Sequence, residues 1–176
     1  MTKIFIRLFV SILRSRGAVI GKKTIIAPGL DWLVVPLRNV YVGANSIIGR
    51  RAWIQCTGEV DSKVTIGDRC SIGRDVVISS ASSVSIGNDC LLSYRVTIVD
   101  HDHYFKLGES PVGYRTDHSS AVVIGNRTFI GANSTILKGV VIGEDTIIGA
   151  NSVVTESFPK NSIVAGNPAK VIKLRN

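Results

Sequence analysis

All three histidines of this 176-residue chain fall within residues 101–118, and two stand in the string Val99-Asp100-His101-Asp102-His103. Imidazole is the side chain that exchanges a proton near neutral pH. Such a cluster suits general acid–base chemistry, a proton taken up or released by a positioned side chain. In an extended segment His101 and His103 point to the same side, so both can face one cleft. Asp100 or Asp102 could hold the imidazole in one tautomer, and spacing alone does not choose between them. His118 comes late in the stretch and reads as a solvated loop residue. Two plainer readings stand beside this one. The stretch could be a polar surface loop with no base. His101, Asp102 and His103 could also hold a metal, but three ligands on adjacent positions seldom satisfy one ion, so none is expected.

The element that must position these residues is a repeat. Ile124, Ile130, Ile136, Ile142, Ile148 and Val154 are each six apart, and Gly125, Gly131, Gly143 and Gly149 follow four of them. Four residues beyond the first five aliphatics stand Thr128, Ser134, Val140, Thr146 and Ser152. A period of six fits neither a surface helix nor a single long strand. It predicts short strands that each bury the aliphatic and the small residue. Between them come corners where Gly, Asn or Asp accepts positive φ. Three hexads close one triangular turn of eighteen residues, which stacks Ile142 on Ile124. Successive coils then pair as parallel strands about 4.8 Å apart.

The same register runs back through the chain with interruptions. Ile20-Gly21 opens it, residues 27–41 (with Pro28, Trp32 and Pro36) disturb it, and Val42, Ile48 and Ile54 restore it. Six extra residues, among them Gly58, Glu59 and Asp61, precede Ile66, Ile72 and Ile78. A two-residue extension near Ser82 and Ser83 delays the next coil of Ile86, Leu92 and Ile98. The following aliphatic is due at 104, yet the repeat resumes only at Val122-Val123-Ile124. About twenty residues are therefore inserted after Val99, giving a loop of roughly 100–121. A polar loop of that length in an otherwise economical repeat is usually functional. After Ile163-Val164 the tail leaves the repeat with Pro168 and carries Lys170, Lys173 and Arg175.

Residues 3–15, KIFIRLFVSILRS, precede every hexad. Ile4, Leu8 and Ile12 form a row with Phe5, Phe9 and Leu13 beside it, while Lys3, Arg7, Ser11 and Arg14 fall opposite. This is an amphipathic basic helix. It is too short and too charged to span a bilayer, and Arg7 interrupts any signal-peptide apolar run. It either packs on the coil or on a neighbouring subunit, or lies peripherally on an anionic membrane surface. The chain thus divides into a helix at 1–17 and one β domain at 18–176.

Composition narrows the partners. A chain 45% hydrophobic but only 6% aromatic suits thin coils of Ile and Val. A net charge of +8 admits nucleic acid, a membrane surface or a polyanionic cofactor. The cations are dispersed and no nucleic-acid motif occurs, so nucleic acid is not expected. Cys70 and Cys90 occupy the small inward slot, and Cys56 reads as a corner or loop residue. With no CxxC pair and no disulfide framework, a reduced, cytoplasmic setting is expected.

Over roughly residues 18–174 the hexads resemble the hexapeptide-repeat acyltransferases. That resemblance implies an all-β fold: a left-handed parallel β-helix acting as a homotrimer with active sites between subunits. Left-handed crossovers are exceptional, so handedness rests on the resemblance alone. In the galactoside and maltose acetyltransferase branch a long loop leaves the coil at this place with a catalytic histidine at its start. This implies His101 as base ahead of His103, with an adjacent aspartate such as Asp100. A similar Asp-His-Asp-His string occurs in O-acetyltransferases of capsular polysaccharide and O-antigen clusters, the nearest resemblance. The late coils, Ile148-Gly149-Ala150-Asn151 and Ala165-Gly166-Asn167-Pro168-Ala169-Lys170, also resemble that branch. The implied reaction moves acetyl from acetyl-CoA directly to a hydroxyl of a cell-surface sugar or its precursor, with no metal. By the same resemblance Ala132 and Ala150 approach the pantetheine arm, with Ala132 N–H as oxyanion donor. Thr155, Lys170 and Lys173 match positions near the nucleotide end.

Three departures stand out. Glu156 replaces a basic residue, Phe129 stands where tryptophan is usual, and Ser79-Ser80-Ala81-Ser82-Ser83 replaces the Asn-containing sugar bulge. A galactoside acceptor is therefore not implied. The competing readings are N-acetylation of an amino-sugar nucleotide and a non-catalytic hexapeptide scaffold.

Overall fold

A hexad has room for one short strand and one corner, so three hexads draw a triangle. The computed structural model shows this, describing residues 3–29, 37–57, 62–103, 106–110 and 118–175. Trp32 and Pro36, the bulge residues Gly58, Glu59 and Asp61, and loop residues 104–105 and 111–117 lie outside the described residues.

Three parallel sheets form the faces of a prism. The first stacks Val19–Ile20, Val40–Val42, Lys63–Ile66, Ser83–Ile86, Val122–Ile124 and Val141–Ile142. The second runs from Ile25–Ile26 through Ile47–Ile48, Ser71–Ile72, Leu91–Leu92, Phe129–Ile130 and Ile147–Ile148 to Ser162–Gly166. The third stacks Trp53–Cys56, Val77–Ser80, Thr97–Val99, Thr135–Ile136 and Val153–Val154. Along each strand the aliphatic of the hexad points inward and its neighbour outward, as alternation requires. The inward residues meet in register: Ile142 on Ile124, Ile148 on Ile130 and Val154 on Ile136. Each buried Ile or Val contributes about 1.5–3 kcal/mol relative to exposure, so three continuous columns hold the prism together.

The columns survive every interruption. Ile66 stacks on Val42 across the six extra residues, Ile86 on Ile66 across the two, and Ile124 on Ile86 across the twenty. All three insertions fall between the third face and the first. They therefore line a single edge of the prism.

The corners divide the work differently from the sequence expectation. Positive φ falls on the third residue after the aliphatics of the first and second faces, in Asn133, Asn151 and Asp145 but also in Arg69 and Arg127. The hexad glycines are needed for closeness instead. A Cβ on Gly131 would lie 2.5 Å from Ala150 N of the next coil.

The helix spans Lys3–Ser15. It buries Phe9, Val10 and Leu13 against the first coil, while Ile4, Phe5, Leu8 and Ile12 stay exposed. Sequence grouped these rows on one side, and the helix carries two apolar faces. The Arg14 guanidinium chooses between them by donating to the carbonyl oxygens of Ile20 (2.8 Å) and Gly21 (3.3 Å). At the other end Phe158 covers Ile142. The tail does not depart: Ala169–Leu174 folds back antiparallel on Ser162–Gly166 and closes the second face.

Candidate active site

The inserted edge holds the one fully buried carboxylate among the described residues, Asp100. The twenty-residue coil that sets Ile98 on Ile78 also sets Asp100 over Ser80. Its Oδ1 accepts from Ala81 N–H (2.7 Å) and lies 3.0 Å from His101 Nδ1. Its Oδ2 accepts from the Ser80 hydroxyl (2.8 Å) and Ser82 N–H (2.9 Å). Burial alone would raise this carboxyl. The donors from Ala81, His101, Ser80 and Ser82 outweigh burial and hold it below the ordinary carboxylate range. The group is therefore an anion that only accepts. In the neutral ring the proton facing this carboxylate then sits on Nδ1 and the lone pair on Nε2. The His101 side chain is only 6% exposed, so its orientation is fixed.

Of the two aspartates, Asp100 thus orients the imidazole. Asp102 is exposed and pairs instead with Lys138 Nζ at 2.7 Å. His103 is exposed and sits edge-on to His101, the ring centroids 5.5 Å apart, on the same side as alternation predicts. His118 is exposed too. Its strand, His118–Ser119, pairs antiparallel with His101–Asp102 and ties the two ends of the loop together. Ser120 N–H donates to Asp100 O (2.7 Å), and Gly139 N–H donates to Ser120 O (2.9 Å). The loop base is thereby fastened to the next coil. Among the described residues no group of three His, Cys, Asp or Glu side chains is placed to hold a metal ion.

The residues matched to coenzyme A lie elsewhere. Ala132 and Ala150 follow Ile130 and Ile148, so they occupy the corner between the second and third faces. There Asn151 N–H donates to Ala132 O across the coils (2.9 Å). Asp100 and His101 occupy the corner between the third and first faces. One chain does not bring the two sets together. Thr155, Lys170 and Lys173 are exposed, and Lys170 Nζ pairs with Glu156 Oε1 at 2.6 Å.

Sequence reasoning missed the socket of Asp100, formed by Ser80, Ala81 and Ser82. The signal was present, since the two-residue extension and the long loop lie one coil apart on the same edge. It also missed Lys138. Cys56 ends a strand of the third face, half-buried, its thiol 3.7 Å from Asn39 O, and burial pushes that thiol up. Cys70 and Cys90 are inward core residues. The hydrogen bond with Cys70, together with burial, pushes the Cys90 thiol up. Among the described residues none of the three hydrogen-bonds to His101.

Residues 121–156 match the family described as bacterial transferase hexapeptide (six repeats), and residues 63–93 match the hexapeptide repeat of succinyl-transferase. WbbJ of Escherichia coli (strain K12), provisionally named a lipopolysaccharide biosynthesis O-acetyl transferase, is 43% identical over 120 residues, 64% of this chain and 61% of WbbJ. The chain thus spans less than two thirds of WbbJ, and 38% and 36% of two further curated relatives. Among solved structures, a point mutant of AntD, an N-acyltransferase from Bacillus cereus in complex with dTDP and coenzyme A, superposes with a TM-score of 0.75. It is 25% identical, with 94% of this chain and 89% of AntD covered. A galactoside acetyltransferase in complex with coenzyme A gives a TM-score of 0.54 at 26% identity, covering 95% of this chain and 70% of that one.

Proposed function

We propose that this chain, which matches hexapeptide-repeat families at residues 63–93 and 121–156, is an acetyl-CoA-dependent O-acetyltransferase. Its acceptor is a hydroxyl of a cell-surface polysaccharide or of a precursor. The observation that carries the reading is the Asp100–His101 pair at the mouth of the inserted loop. The similarity to WbbJ supports the acceptor class.

In this reading His101 Nε2 is the general base. It takes the hydroxyl proton as the sugar oxygen attacks the thioester carbonyl. A C–O bond forms, the C–S bond breaks as the tetrahedral intermediate collapses, and the departing thiolate takes the proton from the imidazolium. No acyl-enzyme is required. Asp100 stabilises the transient imidazolium and keeps the ring in the productive tautomer, as the third member of a triad does. His103 lines the same side and helps to orient the acceptor.

Acetyl-CoA lies along a groove between two protomers of a homotrimer. His101 of one protomer works opposite the Ala132 and Ala150 backbone of the next, with Ala132 N–H as oxyanion donor. The placement of these residues on different corners supports a site shared between copies. Thr155, Lys170 and Lys173 stand near the nucleotide end. The free thiols Cys56, Cys70 and Cys90 fit a reducing, cytoplasmic setting.

The second reading is N-acylation of an amino-sugar nucleotide, favoured by the likeness to AntD. An amine needs less base assistance than a hydroxyl. The test is thiol release from acetyl-CoA with a panel of oligosaccharides and sugar nucleotides, run beside His101→Ala and His103→Ala. Loss of about a hundredfold or more in His101→Ala alone is expected with a hydroxyl acceptor. Amine-dependent release that survives His101→Ala establishes the N-acyl reading. Failure to bind acetyl-CoA at all would reduce the protein to a scaffold.

A further inference from the structure

The exposed side of the N-terminal helix has no role in the site. Ile4, Phe5, Leu8 and Ile12 are 78%, 50%, 59% and 40% exposed, although each is large and apolar. They turn away from Phe9, Val10 and Leu13, which already satisfy the core. Along the other flank of the helix, between it and the first coil, lies a cleft of about 750 Å³ lined in part by Arg7, Arg14, Lys22, Lys23, Ile6 and Ile25.

Charge says what this surface meets. Six cations fall within residues 1–29, a segment that contains no aspartate or glutamate. Among the described residues none of Arg7, Arg14, Lys22 and Lys23 pairs with a carboxylate. Arg14 donates to carbonyl oxygens and so keeps its full charge. A helix of thirteen residues is about 20 Å long. One side of it offers far less than the roughly 800 Å² per partner of a stable protein interface. A twofold contact with a second copy would also bring these cations together. An anionic bilayer meets both features, since it accepts an apolar helix face and supplies phosphates to the long cationic side chains on the flank of the same helix.

We infer that residues 3–15 and the cleft beside them dock the protein on an anionic phospholipid membrane. Ile4, Phe5, Leu8 and Ile12 enter the boundary between headgroups and acyl chains, while Arg7, Arg14, Lys22 and Lys23 lie against lipid phosphates. The inference is independent of the identity of the catalytic base.

The test is flotation of the full chain with vesicles of phosphatidylcholine alone, and with vesicles of phosphatidylcholine and phosphatidylglycerol at about three to one. Binding to the anionic vesicles at least tenfold above the neutral ones, and weakened by salt, is expected. Ile4→Gln with Leu8→Gln lowers that binding about tenfold or more without changing charge. Arg7→Gln with Lys22→Gln lowers it by about fivefold per cation. All four side chains are at the surface, and an unchanged circular dichroism spectrum verifies that the variants fold. Equal binding to both vesicles, no binding, or indifference to the apolar pair overturns the inference. So does a change of molecular mass in Ile4→Gln with Leu8→Gln, which would assign the face to a contact between copies.

Discussion

Asp100 Oδ1 lies 3.0 Å from His101 Nδ1 while the same carboxylate accepts three further hydrogen bonds. The pair is thus a fixed dipole: an anion locked from below by Ser80, Ala81 and Ser82, and an imidazole locked by the anion. Asp100→Asn keeps the shape and removes the charge, and its amide can donate to Nδ1 and force the proton onto Nε2. The expected outcome is a fall in kcat of about a hundredfold to ten-thousandfold with acetyl-CoA binding little changed. Steady-state kinetics checks it. A rise in KM with kcat unchanged would mean that Asp100 shapes the acceptor site rather than the base.

The same socket makes folding stability depend on acid. The Asp100 carboxyl sits below its ordinary range in the folded chain, so the unfolded chain binds this proton more tightly. Its contribution is complete above the unfolded value, about 3.9, and is lost as pH falls through the lower folded value. The stability difference between the native sequence and Asp100→Asn therefore shrinks as the pH drops from about 5 towards about 3. Urea denaturation at a series of pH values measures it. A difference that stays flat across that range contradicts an ionised Asp100.

Much of this was legible in the sequence because a period of six is a strict geometric signal. It set the inward columns, the stacking of Ile142 on Ile124 and the edge from which the loop leaves. Applied further, the same count puts Asp100 over Ser80, a step the sequence reading did not take, since both follow their column residues Ile98 and Ile78 by two. What periodicity does not carry is choice between equivalent neighbours. Asp100 and Asp102 look alike in the string, and only the third dimension shows one sealed in a socket and the other held by Lys138. The helix has two apolar rows for the same reason, and Arg14 decides between them. The hexad glycines look like turn residues in the sequence, whereas close stacking is what requires them.

That last point can be separated from backbone strain. At Gly131 a methyl group would lie 2.5 Å from Ala150 N, and a stacked backbone cannot move aside. Gly108 has φ of +84° with nothing within 4 Å, so Gly108→Ala meets strain alone, about 1–2 kcal/mol. Gly131→Ala is expected to cost about 2–3 kcal/mol by overpacking, roughly 4–12 °C in Tm, and more than Gly108→Ala. Thermal unfolding of the two variants compares them directly. Equal shifts would mean that the coils tolerate a wider spacing at this corner.

Lys170 and Glu156 offer a test of where the nucleotide end of acetyl-CoA lies. Their contact of 2.6 Å is a pair between exposed side chains, which contributes at most about 1 kcal/mol. If the cofactor phosphates approach this place, Glu156 both repels them and draws Lys170 aside. Glu156→Gln then lowers the KM for acetyl-CoA by about twofold to fivefold, and Lys170→Ala raises it by a similar factor. Both effects weaken as salt is added, because exposed charges are screened. Tm should move little in either variant, since neither side chain is buried. Kinetics at two ionic strengths distinguishes the cases: opposite, salt-sensitive changes place the phosphates beside Lys170. An unchanged KM in both variants moves the nucleotide end away from the C-terminal strand.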